Sequence, residues 1–499
     1  MKDTKITDSI LYVGVDDKDL DLFESQYVVP NGVSYNSYVI LDEKVTLMDT
    51  VDQRATKEWL ENLDAVLEGR TIDYLVVSHM EPDHAANAKT LLDKFPNMKI
   101  VGNAKTFAMM SQFFDVDLTG RSVVVKEGDT LNLGAHTLQF IMAPMVHWPE
   151  VMVTYEQSEK ILFSADGFGK FGALDVEEPW ACEARRYYFN IVGKYGAQVQ
   201  AQLKKAAAGE IETNCPLHGP VWRGHLALLL EKYQLWSTYQ PEDKAVLIAY
   251  ATLYGNTENA ANVLAGLLAE KGVRSIAMYD VSETDVSELV AESFRCSHLV
   301  LAAPTYNGGL YPRMEAYLAD LKALNLQNRT VALLENGTWA PVSAKHMRTV
   351  LESMKNMTVL EGAVALKSAL AEGQLAALEA LAEELPEQFY EELNGGILVD
   401  TGHPLHPADE HGDLYIMGEY RVDPAMGKYI VMFYGSFRRV FRGLDEAALT
   451  EEMRKVLRHE FRHHVEGRAG VRDLEVLDEA QIAAYRAQSR EEDEKGQGA

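Results

Sequence analysis

Short apolar runs separated by turn residues divide the chain into many small elements. Residues 35–40 and 45–50 read as paired strands around a turn at Asp42-Glu43-Lys44. Helical spacing follows over 56–67, and the apolar run 74–77 reads as a buried strand feeding a helix that begins near Ala85. Further strands are expected at 99–101, 123–125, 137–142, 152–155 and 161–164. Strands interleaved with helices point to an α/β sandwich over residues 1–240. A second series starts with a strand at 245–250, a turn at 252–257 and an amphipathic helix at 258–271. Strands at 297–303 and 330–335 each run into a loop with Asn and Gly, which predicts a doubly wound parallel sheet over 243–385. After a helix at 374–385, Pro386 marks a break. A strand at 429–434 and a helix at 449–457 then predict a small α+β domain over 386–499.

A length of 499 residues fits about three domains. The net charge of −28 argues against nucleic acid and anionic membrane as partners, and suits a docking protein with a basic face. The opening residues carry no apolar run behind a basic segment, and no stretch has the length of a membrane span. Cys182, Cys215 and Cys296 are too far apart for a disulfide framework or a CxxC redox site, so a reducing cytoplasm is the expected location.

Chemistry concentrates in Ser78-His79-Met80-Glu81-Pro82-Asp83-His84, at the exit of the 74–77 strand. A strand-end loop can aim several side chains at one point, and two imidazoles with two carboxylates suit divalent metal, more than one ion of it. Helix capping accounts for Asp83 alone. His147, Asp166 and His218 also follow strands or short apolar runs, and this recurrence makes them further candidates.

The order His-x-Glu-x-Asp-His, then His, Asp and His, resembles the metallo-β-lactamase-like domain of flavodiiron proteins. The resemblance extends to Tyr35-Asn36-Ser37-Tyr38, residues 163–169, Ala184-Arg185-Arg186-Tyr187-Tyr188 and His218-Gly219-Pro220-Val221-Trp222. It implies one iron on His79, Glu81 and His147, a second on Asp83, His84 and His218, and Asp166 as the bridge. Hydrolases of that fold carry His where this chain has Glu81, and a more anionic, oxygen-rich set favours Fe(III) and redox chemistry over zinc. The resemblance also places Tyr195 near the diiron pocket. One departure is a family His missing from Phe23-Glu24-Ser25-Gln26-Tyr27.

In the second domain, Thr252-Leu253-Tyr254-Gly255-Asn256-Thr257 lies between strand and helix. Backbone N–H groups, a helix N-terminus and two hydroxyls there suit a phosphate, and the absence of a loop lysine argues for a monophosphate rather than a triphosphate. Pro304-Thr305-Tyr306-Asn307-Gly308 and Asn336-Gly337-Thr338-Trp339 form the other two strand-end loops. All three resemble the FMN-binding loops of flavodoxin in position, with Trp339 and Tyr306 placed to stack on or edge the flavin.

The tail holds His459-Glu460-Phe461-Arg462-His463, an HExxH pattern in a helical context. It resembles a small zincin-type metallopeptidase domain, with zinc on His459 and His463, water activation by Glu460, and Asp473 preferred over Glu475 or His464 as third ligand. The 429–434 strand is the expected edge for an extended peptide. The fold class is therefore a metallo-β-lactamase-like αββα sandwich, a flavodoxin-like doubly wound sheet, and a small zincin-like α+β domain.

Together these features predict an oxidoreductase that takes O2 to water, NO to N2O, or both. Electrons come from an external donor such as rubredoxin or a reductase, and the resemblance implies a head-to-tail homodimer or a dimer of dimers. Two other readings are a zinc hydrolase with a regulatory flavin domain, and a redox sensor with a peptidase output.

Overall fold

The computed structural model describes residues 5–387 apart from 207, 208 and 225, and residues 396–463 apart from 410, 411, 413, 424–426, 446, 447, 451, 454, 458, 461 and 462. It divides into two compact units, 1–382 and 383–499.

The first unit begins with two six-stranded sheets. One orders Ile10–Tyr12, Tyr38–Ile40, Thr46–Met48, Tyr74–Val76, Lys99–Gly102 and Ser122–Val124. The other orders Thr130–Asn132, Thr137–Met142, Met152–Glu156, Ile161–Phe163, Thr213–Cys215 and Trp222–Arg223. Their facing residues, including Tyr38, Met48, Val76, Phe140, Met152 and Phe163, form a fully buried core. A second apolar cluster includes Trp59 and Leu63 of helix Thr56–Leu67, packed with Leu47 and Leu75. The expected single strand at 35–40 is two strands, Val33–Tyr35 and Tyr38–Ile40, broken at Asn36 and Ser37. The break has a cause: Asn36 Nδ2 donates to the carbonyls of Pro216 and Gly219, and Ser37 Oγ to that of Asp49.

A third, six-stranded sheet orders Ile276–Asp280, Asp243–Tyr250, Cys296–Tyr306, Thr330–Asn336 and Thr358–Leu366 in parallel, with Gly309–Leu310 paired antiparallel to Cys296–Tyr306 off this path. In chain order this is 2-1-3-4-5, the flavodoxin-like order, whose switch point lies between Asp243–Tyr250 and Cys296–Tyr306. The flavodoxin-like sheet is fastened to the sandwich by a stacked Phe189–Phe294 pair (ring centroids 3.9 Å apart) and by Arg186 Nη1 donating to Ser287 Oγ at 2.9 Å. Buried Arg329 adds bonds to the carbonyls of Tyr239 and Ser293.

In the second unit, Gly396–Asp400, Gly427–Phe433 and Gly418–Asp423 form a three-stranded sheet in that order. This corrects one expectation. The strand at 429–434 is central, parallel to one neighbour and antiparallel to the other, so it offers no free edge. Its uninterrupted apolar run, Tyr429-Ile430-Val431-Met432-Phe433, buries both faces, as a central strand does. Among the described residues the strand beside it, Gly418–Asp423, is an edge.

Candidate functional site

Pro82 sets the local geometry of the 78–84 loop. Glu81 precedes it in extended conformation (φ −60°, ψ 134°), and Pro82 opens the short helix Pro82–Ala85. The helix thus starts inside the motif, three residues before the expected Ala85, and carries Asp83 and His84 in its turn. Asp83 is not its cap, because Glu81 occupies that position.

Two carboxylates hold the loop from behind. Asp49 accepts from Ser78 N–H and Ser78 Oγ, both at 2.6 Å, and Glu150 accepts from Met80 N–H at 2.8 Å. Asp49 sits at a left-handed φ of 55°, a cost for a non-glycine residue. Burial pushes its carboxyl up to about 7 against the pull of the Ser78 bonds.

His147 follows Thr137–Met142, Asp166 follows Ile161–Phe163, and His218 follows Thr213–Cys215. The structure brings all seven predicted side chains together in two groups, with the candidate ligand atoms of each group within 4.8 Å of one another. His79, Glu81, His147 and Asp166 form one, and Asp83, His84 and His218 the other. Glu81 Oε2 lies 2.9 Å from His147 Nε2 and 3.5 Å from His79 Nε2. Asp83 Oδ2 lies 3.2 Å from His218 Nε2. Asp166 faces both groups, with Oδ2 3.1 Å from His79 Nε2 and Oδ1 3.9 Å from His218 Nε2.

The donor chemistry fits cations. Both ring nitrogens of His79, Asp83 Oδ1 and Asp166 Oδ2 are buried without a hydrogen-bond partner among the described residues. His84 Nε2 and His218 Nε2 face each other at 3.1 Å. The His218 ring donates its Nδ1 proton to the Ser34 carbonyl at 2.7 Å, which turns the Nε2 lone pair inward. Burial opposes a charge on His79, yet Asp166 and Glu81 raise its pKa well above the usual imidazole value. Burial and the neighbouring His218 hold His84 well below that value.

Tyr195, expected near this cluster, is half-buried in the turn Gly193–Tyr195 and makes no hydrogen bond to it among the described residues. The tyrosine that does is Tyr187, whose buried hydroxyl donates to Asp166 Oδ1 at 3.0 Å. Rings of Phe23, Tyr35 and Tyr187 stand 5.5, 6.1 and 5.4 Å from the His218 ring, and Trp148 stands 6.3 Å from that of His79. In the segment that lacks a family His, the Glu24 carboxyl faces that of Glu81. Burial of its carboxyl and the Glu81 charge push it up to about 7, although the residue as a whole is exposed.

The three flavodoxin-like loops converge. Every predicted loop residue except Gly255 lines one cavity of ≈ 450 Å³, joined by Ala340 and Ser368. Gly255 stands behind it at φ +82°, donating its N–H to Thr252 Oγ1 and opening helix Asn256–Glu270. Trp339 is 90% exposed, so it is not a core packing residue. Ser368 was not foreseen, because the strand before it, Thr358–Leu366, was not. It exchanges two bonds with Asn336, donating its N–H and accepting from Nδ2.

In the second unit, His459, Glu460 and His463 line a cavity of ≈ 660 Å³ together with Gly418, Tyr420 and His406. The His459 and His463 rings are 5.1 Å apart at 82°. Glu460 Oε2 accepts the Tyr420 N–H at 2.9 Å. Two imidazoles on successive helical turns suit one zinc. Asp473, the expected third ligand, lies outside the described residues, as do Glu475 and His464.

A family model described as ODP family beta lactamase matches residues 33–219. The uncharacterized protein MJ0732 of Methanocaldococcus jannaschii is 31% identical over 356 residues, 70% of this chain and 89% of its own length. The anaerobic nitric oxide reductase flavorubredoxin of Pectobacterium atrosepticum is 30% identical over 371 residues, 69% of this chain and 70% of its own. Among solved structures, rubredoxin oxygen:oxidoreductase from Desulfovibrio gigas matches with TM-score 0.73 and 29% identity, covering 77% of this chain and 98% of its own. The flavodiiron protein of Giardia intestinalis matches with TM-score 0.73 and 26% identity, covering 78% and 97%.

Proposed function

The chain belongs to the flavodiiron family, and on that premise we propose that it is an oxidoreductase that reduces O2 to water, NO to N2O, or both. One observation carries the reading: seven donors, three of them carboxylates including Glu81, gathered in two adjoining groups with orphaned lone pairs. His79, Glu81 and His147 would hold one iron and Asp83, His84 and His218 the other, with Asp166 facing both groups. Two irons and an FMN store four electrons when bound, enough for O2 to two waters or, two at a time, for two NO to N2O and water.

The chain's own residues prepare that chemistry. Ser34 orients His218, Asp49 and Glu150 fix the 78–84 loop, and Tyr187 holds Asp166 from outside the pair. The ring wall of Phe23, Tyr35, Tyr187 and Trp148 leaves an apolar surround that suits a small uncharged diatomic and excludes water. The 252–257 loop would hold the phosphate of FMN, and Tyr306 and Trp339 would contact its ring system. An external donor such as rubredoxin supplies electrons, and a head-to-tail homodimer in the cytoplasm is the working state. No helix among the described residues is long and apolar enough to cross a membrane.

Steady-state consumption of O2 and of NO with a chemically reduced rubredoxin tests the reading. A chain that holds zinc at these residues, hydrolyses nitrocefin and consumes neither gas overturns it.

A second activity is proposed for the tail, on the joint lining of one cavity by His459, Glu460 and His463. His459 and His463, with Asp473 as the expected third ligand, would hold zinc, which would supply Lewis acidity, and Glu460 would take the proton of the attacking water in peptide hydrolysis. Zinc content and cleavage of a degenerate peptide library, compared with the double variant His459→Ala, His463→Ala, test it.

A further inference from the structure

We propose that His406 is the hydrogen-bond donor to the scissile carbonyl oxygen in the tail cavity, and not a metal ligand; the inference rests on the peptidase reading of that cavity. His406 lines the cavity with His459, Glu460 and His463. Three imidazoles around one cavity invite a three-histidine metal site. The tautomer of its ring excludes His406 from it.

The Ala408 N–H donates to His406 Nδ1 at 3.0 Å. Nδ1 therefore carries a lone pair, and the ring's proton sits on Nε2. Ligation through Nε2 needs the opposite arrangement, with the proton on Nδ1, where it would face the Ala408 N–H. The turn that enforces this is well tied: His406 N–H donates to the Leu414 carbonyl at 2.8 Å, and Asp409 N–H to the His406 carbonyl at 2.9 Å. Asp409 in turn accepts from the N–H groups of Gly412 and Leu414, both at 2.8 Å.

An N–H in that place has a use. In hydrolysis the water oxygen bonds to the carbonyl carbon, Glu460 takes the water's proton, the C–N bond breaks, and the proton passes to the leaving nitrogen. Negative charge gathers on the carbonyl oxygen, and a fixed N–H donor there acts where charge develops.

The same wall presents a peptide edge. On Gly418–Asp423, Tyr420 N–H turns to Glu460 and away from the paired strand Gly427–Phe433. The backbone groups of Gly418, Tyr420 and Val422 therefore face outward, and all three residues line the cavity. An extended peptide added to this edge runs past Glu460.

The test uses the full chain. His406→Ala and His406→Gln are compared with wild type on a degenerate peptide library, with zinc affinity measured by chelator competition against the double variant His459→Ala, His463→Ala. The expected result for His406→Ala is a kcat about a hundredfold lower, KM within threefold and unchanged zinc affinity, with partial recovery in His406→Gln, whose amide still donates. An unchanged kcat, a loss confined to KM, or a tenfold loss of zinc affinity overturns the assignment of His406. A wild-type chain that holds no zinc at His459 and His463, or cleaves nothing, overturns the peptidase reading itself, and this inference with it.

Discussion

In the first unit, seven donors arrive from the exits of four strands, and carboxylates supply three of them. In the second, two imidazoles and a carboxylate come from one stretch of helix. The first cluster exists only because the sandwich closes. Five of its seven members are buried, Glu81 and His147 partly so, and carboxylate or backbone partners fix the ligand-bearing loop and the His218 ring. The second needs little more than a helix and a strand laid against it. Gly418 permits that approach, since a Cβ there would stand 2.7 Å from Glu460 Cγ and 2.8 Å from Val456 Cγ1. A dispersed, anionic, dry constellation suits electron storage, and a compact cluster in an open cleft suits hydrolysis of an extended chain.

The sharpest way to break the contrast is to remove the residue that joins the two groups of the first unit. Asp166→Ala is expected to lower iron content and to cut gas reduction on the order of a thousandfold, with tail zinc untouched. Elemental analysis alongside turnover checks it, and a loss of both metals would show that the sites are not independent. Next, Glu460→Ala should reduce peptide cleavage by about a hundredfold or more while zinc content and gas reduction stay as in wild type. Unchanged cleavage would remove Glu460 from its role.

A smaller effect is expected for Tyr187→Phe, which takes one hydrogen bond from Asp166. Gas reduction should fall roughly tenfold with iron retained, read from kcat and iron content together.

The smallest effect lies away from both sites and serves as their control. His136 Nδ1 meets Asp42 at 2.8 Å and Nε2 meets Glu159 at 3.1 Å. Burial opposes the charge on this ring, but the hydrogen bonds to Asp42 and Glu159 raise its pKa above the usual imidazole value. Its stabilisation is therefore full below about pH 6.5 and is lost as pH rises through the higher folded value. Denaturant titrations should find His136→Gln less stable than wild type by on the order of 1 kcal/mol near pH 6, the gap closing towards alkaline pH, with neither activity changed.

The same contrast explains what the sequence disclosed. HExxH is readable from five adjacent letters, and His79 to His84 from six, because each is made by one element. His147, Asp166 and His218 were found by their place after strands, and the structure gathers them with the others. Partners such as Asp49, Glu150 and Tyr187 were missed, because nothing local marks them. Each matters through a fold contact from 21 to 70 positions away. A weak signal for Asp49 existed in an acidic residue directly after the strand Thr46–Met48, which pairs with the motif's own strand. The central rather than edge position of Gly427–Phe433 was also legible, in an apolar run with no polar face. The strands Ile276–Asp280 and Thr358–Leu366 were not, since partly exposed positions blur their pattern.

Multi-electron reduction of a diatomic gas requires the seven-donor cluster and the flavodoxin-like cavity to act together. The most direct measurement is anaerobic reduction of the full chain, followed by separate additions of O2 and of NO, counting gas consumed, electrons lost and product formed. The account predicts reoxidation with about four electrons per O2 and no free peroxide, or about one electron per NO with N2O as product. Reoxidation that yields hydrogen peroxide alone and leaves NO untouched would contradict it.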